Sequence, residues 1–287
     1  METLQHKIDF KLIITATNAN PNGDPLNGNR PRENFEGYGE ISDVCIKRKI
    51  RNRLQDMGEK IFVQSDDRCD DSFGSLHDRA KGNVALNAIS SGKKTDRDAY
   101  AKTACAEWID VRSFGQVFAF KGDEVSVGVR GPVSVQQAVS VSPVETVSMQ
   151  ITKSVNSESG KEGKSSDTMG MKHRVVFGMY VINGSINCQL AEKTGFTDDD
   201  AEKIKKALMT LFENDSSAAR PEGSMEVCRL YWWKHEGKTS KHSSAAIHRS
   251  VNIKLKEGVN TPQCYQDYEI TYDGKFDEVK PEIIDLV

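Results

Sequence analysis

The sequence lacks any apolar run approaching the roughly 20 residues that a bilayer-spanning helix requires. It shows no basic start followed by an apolar stretch and a small-residue cleavage site, so no secretory leader and a cytoplasmic location are expected. Excess positive charge is also missing. The 287 residues carry 39 Lys and Arg against 42 Asp and Glu, a net charge of −3. Bulk electrostatics therefore offers nothing to a nucleic acid, and any such binding must come from local asymmetry. Six cysteines stand far apart, at 45, 69, 105, 188, 228 and 264, with no CxxC pair and no histidines at zinc-finger spacing. That argues against a zinc module and for reduced thiols, several of them buried. There is no Walker-type loop, nucleophile elbow, HExxH or calcium loop. Asp24, Asp43, Asp66, Asp67, Asp70, Asp71 and Asp110 follow no metal-binding spacing. No metal and no cofactor are expected.

What the chain does have is a concentration of charge. Residues 41–53, ISDVCIKRKIRNR, place Lys47, Arg48, Lys49, Arg51 and Arg53 within seven positions. Ile46, Ile50, Leu54 and Met57 recur at intervals of four, four and three. That is the spacing of one apolar stripe on a helix. Lys47 and Arg51 then share one flank, and Lys49 and Arg53 the other. Ser42 is placed to cap the helix, and Asp43 sits in the first turn, where the dipole favours a carboxylate. No acidic residue lies between Lys47 and Gln55 to lace these cations. Like charges this dense repel one another unless an anion binds. The run is either a solvated face or a grip on a polyphosphate backbone.

Around this helix the pattern gives a coarse plan. Residues 7–17 alternate and then run apolar with β-branched side chains, a strand expected at the centre of a sheet. Residues 18–32 hold three prolines, two glycines and five asparagines, so no regular element is expected there. IFVQ at 61–64 is a short strand candidate, and helices are expected around 76–90 and 96–109. The stretch 59–110 reads as a half-polar insertion. Strands follow at 115–120, 125–129 and 133–147. Residues 148–153 and 169–182 flank the polar stretch 154–168 as a long hairpin arm with a mobile tip. Asn183-Gly184 is a turn signal. Residues 198–212 start acidic and keep Ile204, Leu208, Leu211 and Phe212 on one face of a helix. Strands close the chain at 225–234, 250–255 and 268–272. Without the insertion and the arm, the order fits an α+β, ferredoxin-like βαββαβ core.

Other residues carry weaker chemical signals. The loop 18–32 combines glycines that permit close approach to an anion with asparagines and Arg30 and Arg32 that bind phosphates or base edges. A loop this long between strand and helix is unusual unless it functions. His173 beside Lys172, or His242 with His248 and Lys241, offer the acid and base of a metal-independent ribonuclease. Lone histidines, however, more often serve surface or packing roles. Phe114, Phe118 and Phe120 resemble base-stacking residues, although the alternation of the last two favours core packing. Trp232 and Trp233 face opposite sides of a strand, so at least one is expected at the surface.

The opening strand, NPNGDP at 20–25, NRPR at 29–32 and ISDVCIKRKIRN at 41–52 resemble the backbone subunit of type I-C CRISPR Cascade. This is the Cas-seven group of the RAMP superfamily. ITKSVN, MGMKHRVVFGMYVINGSIN and the helix at 198–212 follow in the same order. The resemblance implies a hand-shaped α+β protein with a ferredoxin-like, RRM-like palm at 1–58, 111–139 and 181–287, the last part including a C-terminal extension. A helical finger would be inserted at 59–110, and a β-hairpin thumb would span 140–180 with its tip at 154–168. It implies a non-catalytic subunit that polymerises head to tail along CRISPR RNA (crRNA). The guide is then presented for pairing with target DNA, in company with other Cascade subunits and away from any membrane. The family pattern S-x-x-x-x-K-R-x-x-R/K falls on Ser42, Lys47, Arg48 and Arg51 as guide-phosphate contacts. Lys49 lies in the same helix, and Asn20, Asn22, Arg30 and Arg32 lie in the matching loop. Met149, Thr152, Met169 and Met171 would form the thumb's nucleotide wedge, with core packing the alternative use of each methionine. A RAMP-type guide-processing endoribonuclease acting through His173 or His248 is the alternative. A scaffold whose basic helix meets an acidic protein is a third reading.

Overall fold

The computed structural model describes residues 2–90, 96–120, 125–153, 169–276 and 278–287. Strand β1 (Ile8–Ala19) leads through the two-residue strands β2 (Gly23–Asp24) and β3 (Arg30–Pro31), then β4 (Tyr38–Ile41), into helix α1 (Asp43–Asp56). Helices α2 (Leu76–Gly82), α3 (Val84–Ser90), α4 (Arg97–Glu107) and α5 (Ile109–Phe114) follow. Next come strands β5 (Gly115–Ala119), β6 (Ser126–Arg130), β7 (Val133–Val135), β8 (Ala138–Pro143), β9 (Thr146–Thr152) and β10 (Met169–Ile186). Helices α6 (Cys188–Thr194) and α7 (Asp198–Met209) precede β11 (Met225–Lys234) and α8 (Ser244–Arg249). Strands β12 (Val251–Leu255), β13 (Tyr268–Tyr272) and β14 (Glu282–Asp285) complete the order.

The main sheet has eight strands in the order β14-β11-β1-β10-β8-β4, with β7 and β9 also paired to β10, and its pairings are antiparallel. Its inner strands, β11-β1-β10-β8, are joined through α1 and α7 in the sequence β1-α1-β8-β10-α7-β11. This mixed α+β arrangement agrees with the expected split βαβ plan. β1 is central because both faces of it are apolar. Phe10, Leu12, Ile14 and Ala16 join one core with Ile46, Ile50 and Leu54 of α1 and Ile204, Ala207 and Leu208 of α7. Ile13 faces the other way, into a cluster with Trp233, Ile247 of α8, Val251 of β12 and Tyr268 of β13. Both faces of the sheet are therefore covered. Trp232 stacks on Phe10 at 5.7 Å on the helix side, while Trp233 is fully buried on the other. The expected surface tryptophan does not exist.

The acidic start of α7 is a capping box: Thr197 Oγ1 accepts from Asp200 N, and the Asp200 carboxylate accepts from Thr197 N. The insertion carries its own apolar cluster, built from Phe62, Leu86, Tyr100, Trp108 and Val111. Phe118 of β5 and Val127 of β6 belong to the same cluster. Its expected long helix breaks at Asn83, whose Oδ1 accepts from Leu86 N at 3.0 Å. IFVQ forms no strand. Phe62 N and Val63 N instead donate to the Asp110 carboxylate, at 2.7 and 3.1 Å.

Asn183-Gly184 makes no turn either. It lies inside the 18-residue strand β10, with Gly184 opposite both Phe10 and Val135. The outer part of β10 leaves β1 at Val175, and from there outward it pairs with β9 alone, Met169 opposite Thr152 and Arg174 opposite Val147. This two-stranded ribbon is the hairpin arm read from the sequence; the tip at 154–168 lies outside the described residues. Among the described residues no helix is long and apolar enough to cross a membrane.

Candidate nucleic-acid interface

The strand-to-helix connection is more ordered than its proline and asparagine content suggested. Gly23 pairs with Pro31, and Asp24 with Arg30, closing a small hairpin over residues 25–29. Asn20 is buried and donates from Nδ2 to Asn29 O at 2.7 Å. Asn22 reaches across to the helix, its Oδ1 accepting from Ser42 N at 2.9 Å. Ser42 then caps α1, its Oγ accepting from Cys45 N at 3.2 Å. Loop and helix N-terminus are thus one hydrogen-bonded unit. Asn22 and Ser42 spend their polar atoms building it, and Asn20 its amide nitrogen, while Asn20 Oδ1 is buried without a hydrogen-bond partner. Arg32 holds Asp24 at 3.3 Å, and the Arg30 side chain is exposed with no hydrogen bond or ion pair to any described residue.

The five cations of α1 do not behave as a set. Acidic partners absent from the local sequence arrive from far along the chain. Lys49 is 4% exposed and ion-paired with Asp215, with its ammonium 5.5 Å from the Phe212 ring. Burial pulls its pKa down while Asp215 opposes the shift. Arg53 donates to Thr210 Oγ1 at 2.7 Å and pairs with Glu213. These two cations fasten α1 to the end of α7. Arg51 faces the insertion instead, bonding the buried Asp110 at 2.9 Å with its guanidinium 5.0 Å from the Phe114 ring. Arg48 Nη1 donates to Val63 O at 2.6 Å; burial, then the neighbouring Arg51, pull its pKa below the ordinary arginine value. Lys47 has only Asp43, one turn back at 3.0 Å.

Energetics separates the group. A half-exposed i,i+4 pair such as Lys47–Asp43 is worth roughly 0.3–0.5 kcal/mol, so a phosphate displaces it at little cost. Breaking a buried pair such as Lys49–Asp215 costs about 3–5 kcal/mol. Lys47, Arg30 and Arg32 are the cations available to an anion, with Arg48 half available. Lys49 is placed in the core of the domain, away from the set in which the sequence grouped it. Asp110 and Asp215 were not legible as partners because no local pattern links them to α1. Asp110 is the hub that joins the insertion's backbone to Arg51, a different use from the metal ligand considered for it. Among the described residues no three His, Cys, Asp or Glu side chains gather where they could hold a metal ion.

On the ribbon, Met149, Ile151, Met169 and Met171 are 40–57% exposed, and Thr152 is exposed beside them. Core packing is thereby ruled out for the three methionines. Of the histidines considered for acid–base work, His248 is buried and bonded through Nε2 to Gly184 O at 3.1 Å, and burial lowers its pKa. His173 Nδ1 meets Ser148 Oγ at 2.8 Å across the ribbon, and His242 Nε2 meets Glu278.

Residues 6–273 match the family model described as CRISPR-associated protein Cas7. The chain belongs to the Cas7 family. A CRISPR-associated protein Cas7 of Haloferax volcanii is 24% identical over 248 residues, covering 80% of this chain and 70% of the relative. A chain of the CRISPR RNA-guided surveillance complex, pre-nicking, superposes with a TM-score of 0.49 at 14% identity, over 79% of this chain and 78% of that one. A second CRISPR RNA-guided surveillance complex contributes a chain at TM-score 0.43 and 16% identity, over 79% and 68%. The Cas7 match spans the β1–α1 connection, both sheet-forming helices and the ribbon, so the candidate interface lies wholly within it.

Proposed function

We propose that this chain is a non-catalytic backbone subunit of a type I-C CRISPR Cascade surveillance complex. Copies line up head to tail along crRNA and present the guide for pairing with target DNA, alongside other Cascade subunits. The observation that carries the reading is the Cas7 match across residues 6–273. The geometry supports it in three ways. A rigid helix beside an ordered loop offers Lys47, Arg48, Arg30 and Arg32 to phosphates. The sheet core serves as the palm, and the insertion with its own core serves as the finger. The ribbon of β9 and β10, with exposed methionines, serves as a thumb whose soft side chains wedge between nucleotides.

The physics suits a guide holder. Such a protein must accept any spacer sequence, so it grips phosphate and sugar and leaves base edges free. Head-to-tail stacking is a heterologous contact that does not close into a ring, so RNA length or end-capping partners set the copy number. Native mass spectrometry of the chain with synthetic RNAs of increasing length tests this directly. Copies are expected to add stepwise as the RNA lengthens, with the RNA intact. RNA shortened at fixed sites would favour the processing ribonuclease instead, and loss of all RNA in a high-salt wash would favour the protein scaffold.

A further inference from the structure

On the sheet face away from α1 and α7 lies a cavity of about 710 Å³, between β1, β10 and the C-terminal elements α8, β12 and β13. Its walls carry three cations, Lys11, Arg249 and Lys275, against one carboxylate, Asp273. Asp273 is already held by Lys275 at 3.0 Å. The Arg249 side chain is exposed and makes no hydrogen bond or ion pair to any described residue. Lys11 is 7% exposed in the middle of β1, yet its ammonium has a single weak hydrogen bond, to Val251 O at 3.3 Å. A buried ammonium without a counter-ion is costly, and natural cores pair such groups. Asn183, on the neighbouring strand, adds a buried Oδ1 without a hydrogen-bond partner.

We propose that this cavity is a phosphate site, with Lys11 at its floor and Arg249 and Lys275 at its rim. An oxyanion supplies the missing counter-charge to Lys11 and accepts from the Arg249 fork, whose geometry matches phosphate. A hydroxyl on hydrogen phosphate, or on the sugar of a phosphate monoester, donates to Asn183 Oδ1. The walls include the amides of Gln136 and Asn183, no Phe, Tyr or Trp, and one imidazole, that of His248, which is buried against Trp233 and bonded to Gly184 O. The site therefore recognises the phosphate group and offers no stacking platform for a base. It is separate from the α1 interface, since Lys11 and α1 lie on opposite faces of the sheet.

Calorimetric titration of the full chain in chloride buffer tests it, with inorganic phosphate and adenosine monophosphate as probes. Saturable binding of one equivalent is expected. The rim variant Arg249→Gln/Lys275→Gln, which touches no core residue, should weaken it by at least about tenfold. The variant Lys47→Ala/Arg48→Ala should bind as the unaltered chain does. Tighter binding of the nucleotide would identify a sugar-borne phosphate as ligand, and equal binding a free one. The proposal is overturned if neither probe binds saturably. It is equally overturned if the rim variant binds normally while the α1 variant does not.

Discussion

Lys47 and Lys49 are two positions apart and carry the same charge, but burial assigns them different work. Lys47 has a weak partner and solvent; Lys49 has Asp215 and almost no solvent. Lys47→Ala should leave the urea midpoint nearly unchanged and reduce the slope of log binding constant against log salt by roughly 0.7, one single-strand phosphate contact. Lys49→Ala should do the reverse. It leaves Asp215 with Arg220 alone, at 3.2 Å, and should lower stability by about 3–5 kcal/mol without changing the salt slope. Equal slopes for both variants would remove Lys47 from the binding surface. Lys11 gives a pH-dependent counterpart. Burial lowers its pKa from 10.5 to about 8. Between those values the unfolded chain holds the proton and the folded chain does not, so stability rises with pH across that window. In phosphate-free buffer Lys11→Met should therefore stabilise most below pH 8, by about 3 kcal/mol, since one pKa unit is about 1.4 kcal/mol. The advantage should shrink towards pH 10.5. An advantage constant with pH would mean that the amine is not the cause.

Elements with a continuous local pattern were readable, and those fixed by a distant neighbour were not. The strand at 225–234 and the α1 and α7 helices announced themselves through period and caps, because the core they face lies along one stripe. Asn183-Gly184 misled because a turn signal is local, whereas this glycine answers to the ring of Phe10 on the next strand. A Cβ at Gly184 would stand 2.1 Å from Phe10 Cζ and 2.6 Å from Ser134 O. Gly184→Ala should therefore cost about 1–3 kcal/mol by overpacking. Gly170→Ala on the same strand is the control. Its Cβ would meet only Ile151, at 3.5 Å, and the variant should unfold with the unaltered chain. Equal denaturation midpoints for the two variants would show that β10 relaxes around Phe10. For the candidate site, the residue types and the helix were legible. Which cations were free was not, because Asp110, Glu213 and Asp215 come from 59 to 166 residues away.

At the scale of the whole molecule, the decisive fact is that, among the described residues, the central strands of the sheet are covered on both faces. Single-strand RNA binders commonly stack bases on aromatic side chains of an exposed sheet. Here α1 and α7 cover one face, and α8 with β12 and β13 covers the other. The proposed RNA path therefore runs along the β1–α1 edge and past the ribbon, by the cations and methionines and away from the buried aromatic rings. All three tryptophans report on this: Trp108 is 5%, Trp232 2% and Trp233 0% exposed. Saturating the chain with RNA should leave tryptophan emission almost unmoved, and acrylamide should quench it weakly with or without RNA. Strong quenching by RNA at a concentration where the Lys47→Ala variant still binds would mean that bases reach the sheet. The edge-binding geometry would then be wrong, whatever the family of the chain. Unmoved emission together with a lost salt contact in the Lys47 variant would place the guide on the outside of a closed core. A subunit that must hold every sequence alike has reason to keep its tryptophan rings out of reach.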